Sequence, residues 1–556
     1  MADRLIYLPL GGAGEIGMNA YVYGYGPVGK ERLILVDLGI GFSDMDTTPG
    51  VDVILPNLDY LTDNLDRLEA IFVTHAHEDH VGGVGRLWHL LKKPVHCRKF
   101  TANIARRKMD DAGADTDAVK VAEPFPAMVE AGPFSVGFLP VSHSIPENSM
   151  LVIDTPAGRV IHTGDFKVDL TPGVGEPFDA DLIREAAKDG VKALVCDSTN
   201  VFSRQEGRSE ALVGPEIKEL VERSKGMFVA TTFASNVARL QSLAEAGRDA
   251  GRSICLMGRA MRRMTEAAVE TGVLTDFPAT VSPEEAADVP RGNLMLIVTG
   301  SQGERRAASA QLSQGKYFGM EMKEGDTFLF SSKTIPGNEV EVGRIINNFS
   351  EMGVDVVTEE DGLYHVSGHA NRPDLVTMHN LVDAQMVIPM HGEHRHLRAH
   401  AKLAEELGRA GVVAPNGAMV DLSGNRPEVV EQVETGRVYM DGNVLVGQFD
   451  GVVRDRIRMA LNGLVVVSVM VDEGDEVMED AWVELRGLPE VGSGNEAVSD
   501  AVEAALAQTL ARVDRKTADD DEKLEAAVTK RVRQIVQDMT GKRPEVAVLI
   551  TRLMAE

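Results

Sequence analysis

At 556 residues the chain is too long for one hydrophobic core, and its 44% hydrophobic and 26% charged residues suit an ordinary globular protein of two to four domains. A formal net charge of −28 at pH 7 argues against indiscriminate coating of nucleic acid, because backbone phosphates are bound mainly by Lys and Arg, and it favours a narrow, enclosed site. No apolar run reaches about 18 residues, so no membrane-spanning helix is expected. Residues 5–8, 20–23 and 33–36 read as successive strands separated by Gly- and Pro-containing turns. Between the first two lies Gly12-Ala13-Gly14-Glu15-Ile16-Gly17, with Asp37 twenty residues beyond, the outline of a dinucleotide-binding turn. Residues 18–23 then continue as a strand where that motif needs a helix, so the glycines are expected to shape a tight turn between antiparallel strands.

The apolar residues 70–73 feed directly into Thr74-His75-Ala76-His77-Glu78-Asp79-His80. Four potential ligands at the end of a buried strand suit zinc or manganese, which take imidazole and carboxylate donors. His75 and His77 can converge on one ion, while Asp79 and His80 reach a second. His143, Asp165 and His391 each follow an apolar segment in the same way, and together with the first run they point to a shared binuclear site. Candidate buried strands at 228–231, 294–298 and 327–330 alternate with helical segments such as 215–221 and 237–243, which suggests an inserted α/β domain with a largely parallel sheet. Past about residue 427 the pattern turns β-like again. A charged helical stretch over 499–538 and a strand at 546–550 then read as a separate small domain, with Asp519-Asp520-Asp521-Glu522 a solvated turn or helix start. Cys97, Cys196 and Cys255 stand far apart without CxxC spacing, and residues 1–8 lack a signal-peptide layout; a reducing, cytoplasmic setting is expected.

The series HxHxDH, His143, Asp165 and His391 resembles the metallo-β-lactamase superfamily. Cys196-Asp197-Ser198-Thr199-Asn200, Val366-Ser367-Gly368-His369-Ala370 and Met390-His391-Gly392-Glu393 narrow the likeness to its β-CASP nucleases. The opening Gly11-Gly12-Ala13-Gly14-Glu15-Ile16-Gly17 and the late Gly541-Lys542-Arg543-Pro544 look like the bacterial ribonuclease J family, over nearly the whole chain. The resemblance implies an α/β fold: a metallo-β-lactamase αββα sandwich with an inserted α/β β-CASP domain and a small α+β C-terminal domain. The corresponding division is 1–205 and 359–430 for the sandwich, 206–358 for the insertion, 431–455 for a linker and 456–556 for the tail.

Carried onto this sequence, the resemblance gives His75, His77 and His143 to one zinc and Asp79, His80 and His391 to another, with Asp165 bridging. Two Zn2+ per subunit are implied, with Mn2+ or Mg2+ as alternatives, and a hydroxide between such ions would attack the phosphodiester and leave 5′-phosphate products. His369, oriented by Asp197, is the candidate for stabilising or protonating the leaving oxygen, unless the pair is a plain buried hydrogen bond. Asp37 either orients a ligand histidine or only holds its loop. His365, Val366, Ser367, Gly368 and His369 are implied to hold the substrate. Ser235 and Ser301 are phosphate contacts or ordinary turn residues, and Arg259, Arg262, Arg263, Arg305 and Arg306 are backbone contacts or a solvated face. No metal role falls to His379, His396 or His400, and the last two read as helix surface. Gly447-Gln448-Phe449-Asp450-Gly451 departs from the family's Gly-Asp-Ile-Gly, which leaves any peripheral ion there in question. The implied function is 5′-to-3′ exonuclease and endonuclease action on single-stranded RNA, preferably 5′-monophosphorylated, in rRNA processing and mRNA decay. A homodimer or homotetramer, a place in an RNA-degradation complex and no membrane contact go with it. A β-CASP nuclease acting on DNA and a non-catalytic scaffold are the alternatives, since 2′-hydroxyl recognition leaves no short motif.

Overall fold

The first strands bring Tyr7, Tyr21, Tyr23, Ile34 and Val36 onto a buried, pleated surface, where aromatic and β-branched side chains pack well. Asp3–Gly11 pairs antiparallel with Ala20–Pro27, which pairs antiparallel with Arg32–Val36. The register Gly11↔Ala20 closes the glycine run as a connection between two strands, so no helix begins there and the dinucleotide reading falls away. The computed structural model describes residues 3–472, 477–478 and 480–553. It divides into two compact units, Met1–Gly41 with Leu55–Arg437 and Phe42–Ile54 with Val438–Glu556.

In the first unit these strands are the middle of an 8-stranded sheet, and a 7-stranded sheet runs from Ala410–Gly411 through Met386–Met390, Ala193–Asp197 and Gly158–His162 to Met128–Ala131. Tyr7, Tyr21, Tyr23, Val36 and Phe72 of one sheet share a buried core with Phe138, Leu151, Ile153, Val195 and Ile388 of the other, so the sheets stack face to face. Helices Ala180–Ala187, Arg372–Val382 and His394–Glu406 cover the second sheet through Ile183, Leu375, Met378 and Leu403. Helix Lys99–Asp111 packs against Val95–Cys97 and Val119–Val121 of the first. This is the αββα sandwich the motifs imply. Asp165, Asp197 and His391 end or follow three neighbouring parallel strands, while Asp37 and Thr74 follow the parallel pair Arg32–Val36 and Leu68–Phe72. Parallel neighbours end on one edge of a sheet, and that alone collects these residues.

The insertion is built on a separate, fully parallel sheet of 5 strands, ordered Ser253–Met257, Leu294–Val298, Phe228–Thr231, Thr327–Phe330 and Asp355–Val357. Its inner strands are mainly apolar and buried because helices cover both faces, while the edge strand Asp355–Val357 starts with an exposed Asp. Val342, Ile345 and Phe349 pack on one side, and Ile217, Leu220, Leu240 and Leu243 on the other. Arg239 is fully buried among them. Its guanidinium bonds both oxygens of Glu210, at 2.6 and 2.9 Å, and also the Ser331 and Tyr364 carbonyls. Removing one partner strands a buried charge, so Arg239→Met should cost about 3–5 kcal/mol and lower the denaturant midpoint of this domain. An unchanged midpoint would refute it.

In the second unit Leu464–Val471 pairs antiparallel with Trp482–Arg486 and parallel with Glu545–Arg552. Val465, Val467, Val469 and Val471 alternate inward, onto Leu524, Val528, Val532 and Val536, which recur every fourth residue of helix Asp521–Thr540. The helical stretch read over 499–538 resolves into Val498–Leu510, the short Arg515–Ala518 and Asp521–Thr540, with Asp514 and Asp520 capping the last two. The acidic run is therefore a helix start. Among the described residues no helix is long and apolar enough to cross a membrane.

Candidate metal centre

Strand Leu68–Phe72 runs into the ligand segment, which turns into the short helix Glu78–Val81 with His77 at its N-cap. Gly39 lies flat against this turn, where a Cβ would collide with the Asp79 carbonyl. His77 Nδ1 stands 3.1 Å from both His75 Nε2 and His143 Nε2. Three ring nitrogens so placed cannot all be satisfied by one another. Ligands of a tetrahedral zinc, with Zn–N near 2.0–2.1 Å, stand about 3.3 Å apart, so a cation among the three fits their spacing.

A second set adjoins the first. His391 Nε2 lies 3.1 Å from Asp79 Oδ2, and His80 Nε2 lies 3.7 Å from the same oxygen. Asp165 stands between the sets, with Oδ2 at 3.2 Å from His80 Nε2 and 3.8 Å from both His75 Nε2 and His143 Nε2. Its Oδ1 is buried with no hydrogen-bond partner among the described residues, a costly state for a carboxylate unless a cation takes it. The donor atoms of His75, His77, His143 and Asp165 all lie within 4.8 Å of one another, and so do those of Asp79, His80, Asp165 and His391. The residues present fit two divalent ions sharing Asp165.

The protonation states agree with that use. Burial, helped by neighbouring rings, pushes His75 and His143 well down, and burial takes His77 to about 4, so all three are neutral, the form a metal ion takes. Burial alone would raise Asp165, but His391, His80 and His369 hold it well below the usual carboxylate range. Burial would lower His80 and His391, yet facing carboxylates raise both. That pull is the attraction a cation answers.

Four of the five histidine rings are aimed by a partner on the far nitrogen. His75 Nδ1 meets Thr74 Oγ1 at 2.9 Å, His80 Nδ1 meets Asp37 Oδ2 at 2.7 Å, His143 Nδ1 meets the Gly368 carbonyl at 2.6 Å, and His391 Nδ1 meets Thr199 Oγ1 at 2.7 Å. An acceptor such as Asp37 or the Gly368 carbonyl fixes hydrogen on Nδ1 and leaves the Nε2 lone pair facing the centre, where His80 Nε2 also lies 2.9 Å from Asn19 Nδ2. Gly368 must be glycine, since a Cβ there would sit 2.7 Å from Ser144 Oγ and 2.9 Å from His143 Cε1. Asn19 donates to the Asp79 carbonyl at 3.0 Å and accepts from the Tyr21 hydroxyl at 2.6 Å. Sequence reasoning missed Asn19 and Thr199; their signal was adjacency to the glycine run and to Asp197. Asp37 also accepts from the Thr74 N–H and has φ 61°, a conformation Asn tolerates. Asp37→Asn should therefore keep the loop and weaken metal affinity by about 10–100-fold, measured by chelator competition. Unchanged affinity would reduce Asp37 to a loop tether.

His369 Nδ1 lies 2.8 Å from Asp197 Oδ2, and its ring stacks on His391 with centroids 5.5 Å apart. Burial opposes its charged form, but Asp197 and then Asp165 raise it to about 9. Asn200 Nδ2 donates to Ser367 Oγ at 2.8 Å and to the His369 carbonyl, tying the two motifs together. Val366 packs into the core of the insertion, so only its backbone is free to meet a substrate, and the buried His365 Nδ1 has no partner among the described residues. Ser235 and Ser301 follow the neighbouring parallel strands Phe228–Thr231 and Leu294–Val298. Arg263 pairs with Asp111 at 2.8 Å, and Arg259, Arg262, Arg305 and Arg306 are exposed. His396 and His400 are buried rather than on a helix surface, because that face of His394–Glu406 packs inward; His400 meets Ser198 and His379, and His396 Nδ1 accepts from the Glu393 N–H at the start of its own helix.

Four family models match the chain. They are the metallo-beta-lactamase superfamily over residues 14–194, the ribonuclease J beta-CASP domain over 225–349, a Zn-dependent metallo-hydrolase RNA specificity domain over 353–415 and the ribonuclease J C-terminal domain over 451–553. Ribonuclease J of Sinorhizobium meliloti is 38% identical over 99% of this chain and 98% of its own. Ribonuclease J of Corynebacterium glutamicum is 36% identical over 88% of this chain and 68% of its own, and that of Thermus thermophilus 33% over 88% and 86%. A solved protein of unknown function from Enterococcus faecalis V583 superposes with a TM-score of 0.52 at 15% identity, covering 75% of this chain and 100% of that one, a likeness of fold alone.

Proposed function

The chain belongs to the ribonuclease J family, and on that premise we propose a zinc-dependent ribonuclease with 5′-to-3′ exonuclease and endonuclease activity on single-stranded RNA. It is a metal-dependent nuclease that binds RNA; the metal, the direction of attack and the residue roles are the proposal. The observation that carries it is the pair of donor sets meeting at Asp165. His75, His77 and His143 would hold one ion and Asp79, His80 and His391 the other, with imidazole-rich donors favouring zinc over Mn2+ or Mg2+. When bound, such ions supply Lewis acidity and a nucleophile from water at neutral pH. The chain's own contribution is His369, whose Nδ1 is held by Asp197, so that its Nε2–H faces outward to donate to the leaving 3′-oxygen.

The insertion, with boundaries at 206–358, would close the site. Ser235, Ser301 and the segment His365, Val366, Ser367, Gly368 and His369 would offer hydroxyls and backbone N–H groups to the RNA phosphates. Three free, buried cysteines suit the reducing cytoplasm of RNA maturation and decay. Assembly as a homodimer or homotetramer through the 456–556 domain belongs to the same reading, and sedimentation as a monomer would remove that part.

One labelled single strand tests the whole, given a 5′-monophosphate, 5′-triphosphate or 5′-hydroxyl and compared with its DNA counterpart, with and without chelator. The expected result is chelator-sensitive release of mononucleotides from the monophosphorylated RNA with DNA spared. Internal cuts regardless of the 5′ end would leave an endonuclease alone. Preferred cleavage of DNA would replace the reading with a DNA nuclease, and no turnover would leave a scaffold.

A further inference from the structure

Three buried side chains behind the acidic motif form a hydrogen-bonded chain that the reaction itself does not use. His379 Nε2 and His400 Nε2 lie 2.9 Å apart, His400 Nδ1 and Ser198 Oγ lie 2.9 Å apart, and Ser198 Oγ lies 3.3 Å from the Cys196 carbonyl. All three side chains are fully buried. The direction of the chain follows from satisfaction of its ends. His379 Nδ1 has no partner among the described residues, and a buried lone pair without a donor is less costly than a buried N–H without an acceptor. His379 therefore carries its hydrogen on Nε2 and donates to His400 Nε2. His400 carries its hydrogen on Nδ1 and donates to Ser198, whose hydroxyl donates to the Cys196 carbonyl. Burial pushes His379 down to about 2 and His400 to about 4, so both rings are neutral, as this chain requires.

What the chain joins gives it meaning. His379 is on helix Arg372–Val382, which begins three residues after His369. His400 is on helix His394–Glu406, which begins three residues after His391. Ser198 is next to Asp197. The geometry points to Ser198, His400 and His379 as a positioning set that holds the segments carrying Asp197, His369 and His391 in register, so that the Asp197–His369 pair stays aimed at the scissile bond. This rests on the leaving-group role given to His369 above. The Cys196 sulfur and one ring nitrogen of each histidine also lie within 4.8 Å of one another. Burial pushes that thiol well up, and only three donors are present, so a hydrogen-bonded chain describes the cluster better than a third ion does.

The test uses the full chain with His379→Ala, His379→Gln, Ser198→Ala and Ser198→Thr, alone and combined with His369→Ala. Gln places an N–H where His379 Nε2–H stands, and Thr keeps the hydroxyl. Metal content, melting temperature, kcat and KM on 5′-monophosphorylated RNA are read together. The expected result is a fall in kcat of about 10-fold or more for the two Ala variants, with KM and metal content held. Gln and Thr should restore most of it, and neither Ala change should matter further once His369 is Ala. If His369→Ala lowers kcat and the Ala variants of His379 and Ser198 do not, this inference fails and the leaving-group role stands. If His369→Ala leaves kcat intact, the leaving-group role fails and takes this inference with it. A third metal ion per chain, lost in His379→Ala, would overturn it in favour of a buried metal site.

Discussion

Asp165→Asn is expected to cut turnover by at least about 10³-fold, beyond the 10²–10³-fold cost of losing one preorganised charge-stabilising group, while the protein stays folded. The carboxylate meets His80 at 3.2 Å, His75 and His143 at 3.8 Å through one oxygen, and His391 at 3.8 Å through the other. Asn has the same shape but turns one oxygen into an N–H donor that no cation accepts. Asn148 holds the backbone carbonyl of Asp165 at 2.6 Å and not its side chain, so the main chain keeps its place in the variant. Bound metal should fall to one ion or none per chain in elemental analysis, with the melting profile still cooperative. Wild-type turnover with two ions retained would remove Asp165 from the bridging role.

His369→Ala carries the next largest expected effect, a loss of about 10²–10⁴ in kcat, the usual range for a positioned proton donor. KM and metal content should hold, because His369 is not in either ligand set. Asp197 supplies the check on mechanism. Burial opposes the charged ring and Asp197 raises its pKa, which favours a proton at neutral pH that is lost on the alkaline side. Asp197→Asn removes the charge, lowers the pKa of His369 and moves the alkaline fall of kcat to lower pH. An alkaline limb that stays in place would show that this pair is only a buried hydrogen bond.

The parts of the molecule that could be read in advance are those governed by short-range rules. Strands such as 228–231, 294–298 and 327–330 coincide with the observed Phe228–Thr231, Leu294–Val298 and Thr327–Phe330, because a mainly apolar run of four or five residues flanked by polar turns has few other places to go. The glycine run was legible as a turn because Met18 to Tyr23 cannot be both strand and helix. The ligand residues are legible as types but not as a shape. That His77 presents Nδ1 and His75 presents Nε2 depends on backbone direction over Thr74 and Ala76, which no spacing encodes. Asn19 fell within the run read as a strand, and no spacing shows that its side chain meets the Asp79 carbonyl. His400 was misread because helical spacing reports which residues share a face and not what covers that face. Here His379 and Ser198 cover it, from segments far away in sequence.

The most direct test of a two-ion centre is to strip the metal and add Zn2+ back in known equivalents, following nucleotide release from a 5′-monophosphorylated RNA. Donor sets that share Asp165 predict activity well short of full after one equivalent and full activity only on completing the second. Full activity at one equivalent, or activity that ignores the metal altogether, would contradict the account at its centre.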